Sequence, residues 1–306
     1  MARLYNAAMV HLGVEVHVTG AELESWLAND DNIDRDSDYL FIDVGSETVA
    51  YVLAWSFLEN TGRRVFRHSG RVDPAWQRRG IGTAVIEWAI AHSRERAETV
   101  GPGSLQTDVF NNDPVLAGLL EARGYSSGQH DADLVRPNLD HIPDRRLPAE
   151  LELRPVEEGH LRAIYEADRE AFKDHWGSRQ QGEGAWEAFL AFTQRDETLW
   201  KVAWDGDRVV GQVRGFISPE ENEQFDRRRG WAEFISTARN WRGRGVASAL
   251  ICATLREFKA RGLEDAALGV HVENPTGALS LYQGLGFEVT STSTSYECPI
   301  EAVRLP

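Results

Sequence analysis

The chain has 306 residues, of which 42% are hydrophobic and 26% charged, so it is neither disordered nor fibrous and is long enough for one large domain or two ordinary ones. Its formal net charge of −15 argues against a nucleic-acid binder, whose cations must neutralise phosphates, and against docking on an anionic membrane. The two cysteines, Cys252 and Cys298, exclude a disulfide framework and suit a reducing cytosol.

Residues 1–16 contain Asn, His and Glu where a signal peptide needs an unbroken apolar run. No stretch approaches the ~18 apolar residues of a spanning helix, so a cytoplasmic protein without a membrane partner is expected. The acidic run NDDNIDRDSD (29–38) reads as a solvated loop, or as an electrostatic lure for a cationic substrate. PAWQRRGIGTAV (74–85) is a glycine turn entering a helix, and NDPVLAGLLEARGY (112–125) is a short helix. RPNLDHIPDRRLPAE (136–150) has three prolines and no periodicity, which marks a linker.

Beyond the linker, residues 151–156 read as a short strand. Residues 160–172 and 183–193 carry apolar side chains at helical spacing. Residues 199–217 form two alternating strands about an Asp205-Gly206 turn. DRRRG (226–230) reads as a solvated turn, with contact to a phosphate as the alternative. A strand over 231–238 precedes a helix over 246–261, which places Val246, Leu250, Ile251, Leu255 and Phe258 on one face. Lys259 and Arg261 fall in its last turn and Gly262 caps it, while Cys252 sits in its apolar run as a core residue. A strand over 266–272, a short helix over 274–286 and closing strands over 287–300 complete a mixed sheet covered by helices.

The chain is written twice. Gly80 matches Gly245 at an offset of 165 residues, and 112–125 matches NPTGALSLYQGLGF (274–287) at an offset of 162. A period of domain size means tandem duplication. The expected organisation is a first domain over 1–140, a linker over 141–150 and a second domain over 151–306.

Each copy of the glycine turn stands before a helix. A helix N-terminus presents unsatisfied N–H groups and partial positive charge. Glycines let a bulky anion approach that backbone without a Cβ in the way. The turn is therefore an anion cradle, with Arg242 and Arg244 at its rim in the second copy. Neither copy carries the Lys-Ser/Thr pair of a P-loop, and neither completes G-x-G-x-x-G after the first strand of a βαβ unit.

RGRGVA and QRRGIG, followed by NPTGALSLYQGLGF at this spacing, resemble the GNAT superfamily of N-acetyltransferases. The resemblance implies two tandem GNAT folds of the mixed α/β (α+β) class, each a mostly antiparallel sheet flanked by helices. It implies acetyl-CoA (coenzyme A) as the acetyl source, with its pyrophosphate on Arg242, Gly243, Arg244, Gly245, Val246 and Ala247. Ile235, Ser236 and Thr237 on the preceding strand, and Asn274, join that set, with a backbone N–H near Ile235 or Ser236 where such strands bulge. Gln77, Arg78, Arg79, Gly80, Ile81 and Gly82 would form a second cradle. Tyr282, eight residues after Asn274, takes the place of the tyrosine aimed at the CoA sulfur.

The implied reaction is direct attack of an amine in a ternary complex, so a base is needed. Glu233 shares a strand face with Trp231 and Ile235 by alternation and is the candidate; His271 and Glu273 are alternatives. His175 and Trp176 fall where such proteins build the acceptor pocket, or simply anchor a loop. The acceptor is a small-molecule or peptide amine, no metal is expected, and the protein is a monomer or homodimer. In the first half, Leu120 stands where the second has Tyr282, and His68 where it has Glu233, so chemistry is expected in the second domain and a degenerate first one. A non-catalytic CoA-binding or interaction module is the alternative.

Overall fold

The computed structural model describes residues 1–306 except Asp174, Glu183, Pro275 and Pro306. In chain order its elements are α1 (Ala2–Leu12), α2 (Gly20–Ala28), β1 (Tyr39–Val44), β2 (Glu47–Leu58), β3 (Arg64–Val72), α3 (Ile81–Val100), β4 (Ser104–Phe110), α4 (Pro114–Glu121) and β5 (Ser126–Arg136). There follow β6 (Glu152–Arg154), α5 (Leu161–Phe172), α6 (Ala185–Leu190), β7 (Lys201–Asp205), β8 (Arg208–Phe216), α7 (Pro219–Gln224), β9 (Arg229–Thr237), α8 (Val246–Ala260), β10 (Asp265–His271), α9 (Ala278–Gly284) and β11 (Glu288–Pro299).

These elements divide into two compact units. Unit 1 holds Met1–Asp131, Arg179–Ala191 and Ser291–Pro306; unit 2 holds Ala132–Ser178 and Phe192–Thr290. Strand β5 therefore begins in unit 1 and ends in unit 2, while β11 begins in unit 2 and ends in unit 1.

In unit 1 the strand order is β1-β2-β3-β4-β11-β5. The first three strands are antiparallel, β3 and β4 run parallel over Val65–Arg67 and 104–106, and β4 meets β11 antiparallel. Phe66, Ile86, Ile90, Leu105, Leu120 and Tyr125 form one core cluster under α3 and α4. The acidic run is solvated only in part: Asp31 and residues 34–37 are exposed, but Asp30 and Asp38 are buried. Asp38 is fully buried and accepts from Arg96 Nη1 at 2.6 Å, His92 Nε2 at 2.9 Å and the Asp34 N–H at 2.7 Å. Asp30 takes Arg179 Nη1 at 2.7 Å and Asp31 accepts from the Gly184 N–H at 2.7 Å. Buried carboxylates such as Asp30 and Asp38 need such partners, and the bonds of Asp30 and Asp31 fasten Arg179 and Gly184 into this unit.

In unit 2 the order is β5-β10-β9-β8-β7-β6, with β6 to β9 antiparallel and β9 parallel to β10. Helix α8 buries Val246, Leu250, Ile251, Leu255 and Phe258, the face expected from the sequence, together with Cys252. Gly262, at φ 79°, closes the helix, its N–H bonding Lys259 O while Leu263 N–H reaches Phe258 O. Glycines let the helix lie close on the sheet. A Cβ at Gly230 would stand 2.7 Å from Phe258 ring carbons, and one at Gly211 2.7 Å from a Val246 methyl. Gly230→Ala is expected to cost about 1–3 kcal/mol through this overpacking, read as a lower denaturant midpoint at unchanged slope.

Three local expectations change. Helix α7, started by Ser218 accepting the Glu221 N–H and by Pro219, falls in a stretch without apolar periodicity. Residues 288–299 form one strand and not two. The arginines of 226–230 are solvated only in part: Arg228 is exposed and pairs with Glu264, whereas Arg227 and Arg229 are largely buried against the carboxylates of Glu221 and Asp265, the latter at 2.7 Å.

Candidate functional site

Strand β9 carries the site and breaks its own regularity to do so. It pairs with β10 only over Arg229–Trp231 against 265–267. Against β8 its register shifts between Gln212 and Arg214: Gln212 opposes Ser236 while Arg214 opposes Glu233. Two residues, Phe234 and Ile235, thus stand where β8 has only Val213, which is a β-bulge, and Phe234 adopts φ 50°. The bulge also resets the alternation. Gln212 and Arg214 share a face of β8, so Glu233 shares its face with Ser236, and not with Ile235 as strict alternation gave.

Glu233 fills the gap where β9 and β10 part. Its Oε1 accepts the Gly269 N–H at 2.7 Å, a bond the continued ladder would otherwise have taken. Burial pushes its carboxyl up to about 7, and the Asp133 carboxylate adds to the rise; the bonds from Gly269 and Phe234 N–H groups oppose it. Tyr282, on α9, is 6% exposed. Its phenol is raised by burial first and by the Glu233 carboxylate second, so it keeps its proton across the neutral range.

The cradle follows β9. After one 3₁₀ turn (Arg239–Trp241), Gly243 and Gly245 take φ 72° and 81°, the left-handed region that favours glycine. Gly245 is the N-cap of α8, and no side chain caps the helix. A Cβ at Gly243 would meet nothing within 4 Å, and one at Gly245 only Ser248 Oγ at 3.8 Å. The glycine backbone before α8 therefore borders open space, and the first N–H groups of the helix have no side-chain cap, which leaves room for an anion such as a diphosphate. The two arginines are less available than expected. Arg242 donates to Thr237 O at 3.1 Å and Ala171 O at 2.9 Å. Arg244 bonds Glu150 at 3.1 Å and lies over the Trp241 ring at 3.9 Å. Backbone amides, not guanidiniums, dominate this cradle.

The structure gathers His175, Trp176, His271 and Asn274 at the end of β10. Trp176 stacks on His271 with centroids 5.1 Å apart, and the His175 ring lies 5.5 Å from that of His271. Asn274 Nδ2 is 3.5 Å from His175 Nε2, and its Oδ1 accepts from Thr276 N–H and hydroxyl. Glu273 reaches only 3.8 Å from His271 Nε2.

A polar network behind the bulge escaped the sequence reading. Asp168 on α5 holds Arg214 Nη2 at 2.8 Å and accepts from Gln212 Nε2 at 3.0 Å and from the Ser236 hydroxyl. Burial raises the Asp168 carboxyl and lowers the Arg214 guanidinium; these bonds oppose both shifts. Asp168 looks like any solvent-facing acid on an amphipathic helix, so only the fold reveals it.

Unit 1 repeats the cradle but not the rest. Gly80 (φ 84°) is the uncapped N-cap of α3, and its Cβ would meet nothing within 4 Å. Gln77 is extended, Arg79 lies over Trp76 at 4.5 Å, and a Cβ on Gly82 would touch only Leu119 at 4.0 Å. Arg78, at φ 63°, stands where the second copy has Gly243. Strands β2 and β3 pair without a register shift through Ser69 and Gly70, so no bulge forms. His68 is buried with Nε2 2.9 Å from the Tyr125 hydroxyl, and burial, helped by Arg67, pushes it down to about 4. Leu120 is buried completely.

Comparison with known proteins gives a consistent picture. The sequence profile of the Acetyltransferase (GNAT) family matches residues 3–125 and again 161–287. The mycothiol acetyltransferase of Saccharomonospora viridis is 28% identical over 265 residues, covering 82% of this chain and 81% of the relative. That of Salinispora tropica is 29% identical over 231 residues, covering 74% and 71%. Among solved structures, a GCN5-related N-acetyltransferase from Sphaerobacter thermophilus superimposes with a TM-score of 0.73 at 23% identity, covering 98% of this chain and 91% of that one. A tandem GNAT protein from the clavulanic acid biosynthesis pathway gives 0.65 at 14%, covering 92% and 88%. Both structural likenesses speak to the fold. Among the described residues no helix is long and apolar enough to cross a membrane.

Proposed function

Since this chain belongs to the acetyltransferase (GNAT) family, as a tandem-domain acyltransferase, we propose that it moves an acetyl group from acetyl-CoA to a primary amine of a small molecule, with the chemistry in unit 2. The observation that carries this reading is the conjunction of the α8 cradle, the β9 bulge, Glu233 and Tyr282 in one unit. When bound, acetyl-CoA supplies an activated acetyl thioester. The residues from Arg242 to Ala247 hold its diphosphate through backbone N–H groups, with Thr237 and Asn274 alongside. The bulge frees a strand N–H near Ile235 or Ser236 to stabilise the acetyl oxygen as it gains charge, a contribution of roughly 3–4 kcal/mol for one aligned donor.

An alkylamine is almost wholly protonated at neutral pH and must lose a proton before it attacks. Glu233 takes that proton, directly or through one water; a carboxyl raised to about 7 is poised for this at physiological pH. Tyr282 returns a proton to the departing thiolate. His175 and Trp176 form part of the acceptor wall. Unit 1 offers a second backbone cradle from Gln77 to Gly82, yet Leu120 cannot donate a proton and its β3 has no bulge, so it serves as a scaffold.

The test is a thiol-release assay of the full chain with acetyl-CoA and a panel of amino sugars, polyamines, amino acids and lysine peptides. At least one amine should release CoA in step with its own acetylation, and silence across the panel would count against the reading. Calorimetry with acetyl-CoA examines the cradle separately. Gly245→Val puts a branched side chain into left-handed backbone facing the diphosphate, and should weaken binding roughly tenfold or more. Unchanged affinity would move the diphosphate elsewhere.

A further inference from the structure

Arg214 poses a problem for the chemistry just described. It stands directly opposite Glu233 across β8 and β9, where facing Cβ atoms lie about 4.5–5.5 Å apart. A guanidinium at that distance is a natural partner for a carboxylate, and a paired Glu233 would be a poor base. Instead the Glu233 carboxylate bonds the Gly269 N–H, and Arg214 is engaged elsewhere. Its guanidinium lies 4.0 Å over the ring of Phe234, the residue whose left-handed backbone forms the bulge. Its Nη2 is 2.8 Å from Asp168 Oδ2 on α5. Asp168 is itself fixed by Gln212 Nε2 and the Ser236 hydroxyl.

We propose that Asp168 is a positioning residue for the reaction: by holding the Arg214 guanidinium over Phe234, it supports the bulge with a cation while keeping that cation from pairing with Glu233. The proposal rests on Glu233 being the base. Arg214 gives the strained Phe234 a stacking partner, a task a neutral side chain would perform less well. Asp168 balances the charge that this introduces. Around Glu233 the facing groups are then Asp133 from β5, the Gly269 N–H from β10, Tyr282 from α9, and Arg214 from β8 with its charge matched by Asp168 from α5. The surroundings favour a protonated Glu233 until near neutrality. A guanidinium turned onto it would favour the carboxylate and lower its midpoint by about 1–3 pH units.

The experiment reads Glu233 itself and needs neither acceptor nor turnover. The full chain is labelled with ¹³C at glutamate carboxyl carbons, and the Glu233 resonance is assigned by its loss in Glu233→Gln. In the wild type it should titrate near 7. In Asp168→Asn the released Arg214 should shift the midpoint acidward by about 1–3 pH units. Adding Arg214→Met to that variant should bring it back, because a buried ion pair replaced as a whole is tolerated far better than one broken. Asp168→Ser offers a second neutral replacement if the asparagine does not fold. An unmoved midpoint in either folded variant, or failure of both to fold, overturns the proposal and leaves Asp168 a structural residue. If Glu233→Gln retains full acetyl transfer, the base assignment fails separately, and the proposal falls with it however the midpoint moves.

Discussion

Replacing Tyr282 with phenylalanine is expected to lower turnover by about 10²–10⁴-fold while leaving acetyl-CoA affinity as it is. The substitution removes one oxygen and almost no volume, so the packing of α9 against Phe287 persists. What is lost, on the proposed mechanism, is the proton for the departing thiolate. Burial and the Glu233 carboxylate both disfavour the phenolate, so Tyr282 keeps its proton through neutral pH, as the proposed donor must. Steady-state thiol release, paired with calorimetric titration of acetyl-CoA, separates the two effects. Full turnover in the variant would remove Tyr282 from the chemistry and leave it a core aromatic.

Glu233→Gln should cost about 10²–10⁴ in rate and make the protein more stable at alkaline pH. The rate follows from loss of the base, and the wild-type rate should rise with pH through about 7 as Glu233 deprotonates. The stability effect follows from linkage. The carboxyl ordinarily titrates at 4.5 and here near 7, so between these values the folded state binds the proton and the unfolded state does not. Stability from this group is therefore complete below 4.5 and lost as pH rises through 7, in all about 3 kcal/mol. Glutamine carries no such term. Urea midpoints of the two proteins should diverge between pH 4.5 and 8, with the variant gaining; parallel curves would show that Glu233 is not held protonated.

The repeat, the cradles and the α8 core face were legible because each rests on local rules: matched spacing, glycine before a helix, and helical periodicity. The unsatisfied amides of a helix N-terminus are visible in any sequence that shows where the helix begins. Glu233 and Tyr282 could be placed on their elements, but the reason for Glu233's high carboxyl could not. That depends on β9 parting from β10 and on Asp133 arriving from β5, contacts distant in sequence. The bulge defeated simple alternation because one extra residue inverts every later side chain, so Ser236 and not Ile235 joins Glu233. The acidic run misled in part, at two of its carboxylates, for the opposite reason. Charge density in a sequence reads as solvation, whereas Asp38 and Asp30 are buried against cations from 54 or more residues away.

The allocation of segments to the units bears on how the duplicated gene has aged. Unit 1 owns residues 179–191 and 291–306, which the second copy encodes, and unit 2 owns the last residues of β5, which the first copy encodes. Deleting either copy would strip strands from the survivor. A first copy with Leu120 in the place of Tyr282 could thus not be discarded by a clean excision. Interleaving of this kind makes each copy structurally indispensable to the other, whatever chemistry each performs.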